Sequence, residues 1–293
     1  MIPIPSYRFR PSPLHAARAG ASASFCAALA LTGLLFDSPV ILGAGLLAIA
    51  IAGLAAGVGA ELARAAVLAV PLALLVAVIN PLVYQEGATV LVRGWSLFGF
   101  TIDITLEAFL AGLLAGVRVL VTMLAFALYS ACVDPDEMLR LLRRFSYRSA
   151  LTAALATRMV PLLARDARRR AEAARCRPAP PTRRAVARAA LAGSLDRALD
   201  TAAALEVRGY SRARRPINPA RAWSRHDGAV ASSAAVISVG LLAAAVAGAG
   251  KVLAYPRLEI VAGTAEWALA VLLLCAALVP FAVPGARLGT ARA

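Results

Sequence analysis

The stretch LEAFLAGLLAGVRVLVTMLAFALYSACVDPDEMLRLLRRF, Leu106 to Phe145, changes character at Val133, and that change decides the fold. Up to Cys132 it is apolar for longer than the roughly 20 residues a helix needs to cross a hydrocarbon core. From Asp134 it reads as a new helix start outside lipid: Asp134 can cap, Pro135 suits the first helical position, and Asp136 and Glu137 complement the dipole. The short helix that follows, DEMLRLLRRF, puts Met138, Leu141, Leu142 and Phe145 on one side. A membrane span therefore gives way to an amphipathic, arginine-bearing segment.

Working outward, the 293-residue chain is 60% hydrophobic with a mean hydropathy of +0.74. Its apolar runs predict six spans, at about 20–36, 40–60, 66–84, 105–131, 229–249 and 263–283. The N-terminus, MIPIPSYRFRPSPLHAARAG, is too long and too interrupted by proline to be the front of a signal peptide, so the first run is expected to stay as a membrane helix. Three segments result: N-terminal spans over 1–132, an arginine-rich block over 133–228, and two C-terminal spans over 229–293. The expected fold is all-α, a polytopic helical membrane protein with a cytoplasmic helical bundle.

Charge orients the arrangement. Of the 31 basic residues only Lys251 is not arginine, and 21 arginines lie in 133–228. Placing the N-terminus inside puts 27 basic residues on the cytoplasmic side against Arg93, Lys251 and Arg257 outside, which predicts cytoplasmic termini in a multi-pass protein of the cell (inner) membrane. Such a block can attract anionic membrane lipids or offer a docking face to an acidic partner. It has neither the aromatic interleaving nor the module of a nucleic-acid binder.

Catalytic chemistry finds little support. The four cysteines are scattered without CxxC spacing, and His15 and His226 are the only histidines, so no metal-ligand cluster is expected. There is no GxxxxGK[ST] loop, so no nucleotide is expected to be hydrolysed by this chain. Asp196-x3-Asp200 is the one pair that would suit magnesium and diphosphate, which keeps a membrane-embedded isoprenoid or lipid-processing enzyme as the alternative reading.

Inside the block two long helices are predicted, about 149–175 and 183–208, separated by Pro178-Ala179-Pro180-Pro181. Pro161 removes a backbone donor from the first, making it, with Arg158, a hinge. The alanine rows and Gly193 of the second would admit a close neighbour. Both helices end alike, in AEAARC (Ala171–Cys176) and ALEVRG (Ala204–Gly209), with their arginines 33 residues apart. Each ending alone fits helix capping, since arginine favours the negative end of the dipole and glycine tolerates the left-handed cap. Arg118, near the middle of its span, has to face protein or water, through either a polar link to another helix or a substrate. Gly53-x3-Gly57 and Gly112-x3-Gly116 would allow close helix crossings, and the loop with Trp95, Phe98 and Phe100 would rest at the outer interface.

In order and spacing, Asn80-Pro81-Leu82, Glu107-Ala108, Arg118, DPDEMLRLLRRF, ATRMVP, AEAARC and SLDRALDTAAALEVRGY resemble the transmembrane T component of energy-coupling factor transporters, a family that includes the cobalt-transport membrane subunit. The resemblance implies that the two helices are coupling helices whose Ala-Arg-Gly tips dock into two ABC-type ATPases. Carried over, the docking residues are Ala174, Arg175 and Cys176 in the first tip and Glu206, Arg208 and Gly209 in the second. Arg158, Pro161, Arg118, Asn80 and Pro81 take structural or hinge roles. Cys176 stands where the family has glycine and Val207 where it has alanine, and Arg177 could serve if the first motif is shifted. The resemblance further implies a substrate-binding membrane S component as partner, vitamin or metal-ion uptake, and no cofactor on this chain, ATP being bound by the ATPases.

Overall fold

A computed structural model describes residues 10–83, 90–97, 100–142, 147–176, 182–208, 223–248, 250 and 263–282. Its elements are α1 (Pro13–Ala16), α2 (Ala19–Leu35), α3 (Pro39–Ala55), α4 (Gly59–Val83), β1 (Val90–Leu97), β2 (Phe100–Thr105), α5 (Leu106–Cys132), α6 (Pro135–Leu142), α7 (Tyr147–Arg175), α8 (Arg183–Val207), α9 (Arg225–Val246) and α10 (Thr264–Ala282). The chain divides into two units, Met1–Met138 with Trp223–Ala293, and Leu139–Ala222.

The first unit is a bundle of apolar helices. Gly59–Pro81, Leu106–Cys132, Arg225–Val246 and Thr264–Ala282 are long and apolar enough to cross a membrane, whereas α2 and α3, at 17 residues each, are shorter. Six apolar helices thus stand where six spans are expected, with four meeting the length of a span. The chain forms a polytopic helical membrane protein. Its core is built from side chains such as Phe25, Leu29, Ile49, Leu128, Ile237 and Leu273, all fully buried where α2, α3, α5, α9 and α10 meet.

Close crossings hold this bundle together. A Cβ added at Gly116 would lie 2.5 Å from the Ala73 carbonyl oxygen, and one at Gly112 would lie 2.6 Å from that of Ala77 and 3.1 Å from both Asn80 and Pro81. The Gly112-x3-Gly116 pair is therefore the contact line between α5 and α4, as close backbone approach in lipid requires. It also gives Asn80 and Pro81 their place, against the glycine face of α5. Gly57, at φ +73°, takes the left-handed conformation that ends α3 and lets α4 start after a single intervening residue.

One segment departs from the all-helical expectation. Strands β1 and β2 pair antiparallel, with Leu97 opposite Phe100 and Val90 opposite Thr105, interrupted by two irregularities. The run of β-branched residues in FTIDIT explains why this piece pairs as strands. Thr105 then caps α5 by accepting a hydrogen bond from the Ala108 amide at 3.3 Å. Phe98, expected to sit at an interface, lies outside the described residues, and so do Phe145, Arg177 and the Pro178–Pro181 turn.

Candidate functional site

The second unit carries the chemistry of the arginine-rich block. Residues 139–222 hold 20 arginines and five acids, a net charge of +15, which equals the net charge of the whole chain. The remaining residues balance to zero. Arg225 and Asp227, grouped with the block by composition, belong to the bundle, because α9 starts at Arg225.

Two helices dominate the unit. Thr182 caps α8 by accepting from the Ala185 amide at 3.3 Å. Along α7, Met159, Leu163, Asp166, Arg170 and Ala174 form a half-buried row, and along α8 Val186, Ala190, Gly193, Arg197 and Thr201 form another. Both rows follow the three-and-four spacing of one helix face. Arg197 Nη2 pairs with Asp166 Oδ2 at 2.5 Å, and Arg170 Nη1 donates to the Ala189 carbonyl at 2.9 Å. Going forward along α7 goes backward along α8, so the pair is antiparallel. Space at Gly193 is taken by the Arg170 guanidinium, which a Cβ there would strike. The glycine expected to admit a neighbouring backbone instead admits an arginine side chain.

This register sets the two helix tips apart. Arg175 ends α7, while Arg208 follows α8 as its C-cap, with its amide donating to the Ala204 carbonyl at 3.2 Å. Continued from the observed contacts, the register brings Arg208 level with about Leu155 on α7, so the two arginines stand roughly 30 Å apart along the pair at 1.5 Å per residue. Ala174 is half-buried; Arg175, Cys176, Glu206 and Arg208 are exposed, and Val207 is 90% exposed. Cys176 is a free thiol. Gly209 lies outside the described residues, and of Arg158 only the backbone is described, within an α7 that continues through Pro161. A guanidinium at a bare helix end presents a planar fork of donors suited to carboxylates and carbonyls of a partner. Asp196 and Asp200 are exposed on α8, and among the described residues no three His, Cys, Asp or Glu side chains group as metal ligands.

Arg118 is placed elsewhere, inside the first unit. Its Nε donates to the Gly33 carbonyl at 3.0 Å, Nη2 to that of Leu34 at 3.2 Å, and Nη1 pairs with Asp37 Oδ1 at 2.5 Å. Arg118 is thereby a cap supplied by α5 to the end of α2, satisfying carbonyls that no following turn covers. Asp37 was missed from sequence; its signal is a lone acid directly after an apolar run. Two further ion pairs escaped as well. Arg10 meets Glu61 at 2.6 Å. Asp227, fully buried, accepts the Arg18 amide at 2.7 Å and the Ser224 amide at 2.8 Å, and completes the capping box of α9. The Arg18 guanidinium lies 5.4 Å from the centre of the Trp223 ring.

Among curated proteins, none matches the chain. The family CbiQ, cobalt transport protein, matches residues 11–217, which cover α1 to α8 and both arginine tips. With that extent of match, joined to a bundle of apolar helices, the chain belongs to the CbiQ family of cobalt transport proteins and is a membrane component of a transport system.

Proposed function

We propose that the chain is the coupling subunit of an energy-coupling factor importer in the cell membrane, with its termini in the cytoplasm. Two ABC-type ATPases dock on the second unit, one at the Ala174-Arg175-Cys176 tip and one at the Glu206-Arg208-Gly209 tip. A separate substrate-binding membrane subunit selects the cargo, a vitamin or a metal ion, and the family's description favours cobalt. The observation that carries this reading is the antiparallel α7–α8 pair with an exposed arginine at each of its opposite ends. Tips at opposite ends suit two separate receivers, where adjacent tips would compete for one. ATP is bound and hydrolysed by the partners, and their motion reaches the membrane through the two helices.

Arg208→Glu tests it. Interface arginines of this kind cost about 2–4 kcal/mol when lost, and a reversed charge costs at least as much. The variant is expected to insert normally while losing co-purification of the ATPases in mild detergent and losing uptake in cells. Undiminished ATPase recovery together with normal uptake would sink the proposal.

A further inference from the structure

Midway along α5, Arg118 and Asp37 form an ion pair that is only partly covered, their side chains being 36% and 45% exposed. The reason lies in the unequal lengths of the helices. α5 has 27 residues and α2 has 17, and the end of α2 meets α5 at Arg118, twelve residues or about 18 Å from the start of α5. Beside the pair, between α2, α4 and α5, a notch of about 390 Å³ opens, its lining including Gly33, Leu34, Val76, Val119, Thr122 and Met123. The Thr122 hydroxyl is already spent on the Arg118 carbonyl at 2.8 Å. The notch is therefore apolar apart from the ion pair at its edge.

That ion pair has unused capacity. Among the described residues, three of the five guanidinium N–H groups are engaged and two are not, and Asp37 Oδ2 has no partner. Such groups facing hydrocarbon are costly, so something polar has to meet them. A neutral pair with one free anionic oxygen and free N–H donors complements a zwitterion, while a purely anionic group would face the Asp37 carboxylate.

We propose that this notch binds a phospholipid with a primary-ammonium headgroup, of the phosphatidylethanolamine type. The lipid phosphate accepts from the two free Arg118 N–H groups, its ammonium donates to Asp37 Oδ2, and an acyl chain lies against Leu34, Val76, Val119 and Met123. The choline headgroup has no N–H to donate, so it fits the phosphate half of the site alone.

The test is lipid retention by the full-length purified chain, read by native mass spectrometry after exchange into equimolar mixtures of phosphatidylethanolamine, its N-methyl and N,N-dimethyl forms, phosphatidylcholine and phosphatidylglycerol of identical chains. Retention is expected to fall stepwise with methylation, by roughly threefold to tenfold from end to end for a partly exposed charge-assisted bond. Asp37→Asn, which keeps an acceptor for Arg118 but loses the anionic charge, is expected to flatten the series. A flat series in the native chain overturns the proposal, as it would if a helix of another membrane subunit fills the notch. Preferential retention of phosphatidylglycerol, or a series unchanged by Asp37→Asn, overturns it equally. If Asp37→Asn does not yield folded protein, the methylation series on the native chain decides alone.

Discussion

Gly116 and Gly193 occupy comparable positions, each at the contact line of two antiparallel helices, yet what fills the space beside them differs. In the bundle, the space beside Gly116 is taken by the backbone of α4, the Ala73 carbonyl oxygen standing 2.5 Å from where a Cβ would sit. In the arginine-rich unit, the space beside Gly193 is taken by the end of the Arg170 side chain. The difference follows from the surroundings. Lipid supplies no hydrophobic drive between helices, so backbones have to come close enough for dispersion to hold them. Outside lipid, an Arg–Asp pair and an Arg–carbonyl bond bridge a looser contact and leave the rest of each helix exposed. A tight bundle whose charges balance to zero and an open unit carrying all of the net charge suit the proposed division between membrane anchor and docking surface.

The comparison breaks most visibly at the glycines. Gly116→Leu forces a side chain into α4 backbone that has nowhere to move, and overpacking of that kind costs about 3 kcal/mol or more. Loss of monodisperse protein in detergent, or a large drop in melting temperature, is expected. Gly193→Ala asks only that a flexible guanidinium swing away, and alanine is the better helix former by about 1 kcal/mol. That variant is expected to melt within a degree or two of the native chain. Equal damage from both would show that the two contact lines are alike after all.

A second effect sharpens the bundle side. Asp227→Ala removes a fully buried carboxylate that serves the amides of Arg18 and Ser224 and pairs with Arg18 Nε at 3.7 Å. Breaking a buried charged group of this kind costs about 3 kcal/mol. Asp227→Asn keeps an acceptor for one of the amides and is expected to lose less, measurable as an intermediate shift in thermal unfolding. If Asn is as damaging as Ala, the charge itself matters more than the hydrogen bonds that tie α2 to α9.

How far these features are legible in the sequence depends on whether they are local. Apolar length marks the helices, and α7 and α8 are readable to within two residues because Pro178–Pro181 and Thr182 bracket them. The glycine pair on α5 is visible as a pattern, but its partner is not, since any of several helices could have met it. The partner of Arg118 is hidden for the same reason. Asp37 lies 81 residues earlier, and only the level at which α2 ends brings the two together. Asp227 reads in sequence as one acid among many arginines; its place follows from the start of α9, where it closes the capping box with Ser224. The pairing of β1 with β2 is hidden in sequence by aromatic residues that also suit an interface. Of the two helix tips, the arginines are plain in sequence, whereas their placement at opposite ends needs the antiparallel register.

On the open side, the smallest effect is expected at the ion pair between the helices. Arg197 and Asp166 are close, at 2.5 Å, yet their side chains are 35% and 22% exposed, so water and salt screen them. A double-mutant cycle of Arg197→Ala and Asp166→Ala should give a coupling of about 1 kcal/mol or less, shrinking further at high salt. Neither variant should disturb the bundle, because both residues belong to the second unit. The measurement bears on function as well as stability. If the pair aligns α7 with α8 and the proposed ATPases dock at Arg175 and Arg208, the cycle should appear more strongly in ATPase affinity than in thermal unfolding, which is dominated by the bundle. A coupling well above 1 kcal/mol that persists in high salt would mean the α7–α8 contact is shielded from water, and the picture of an open unit braced by a few polar contacts would have to be given up.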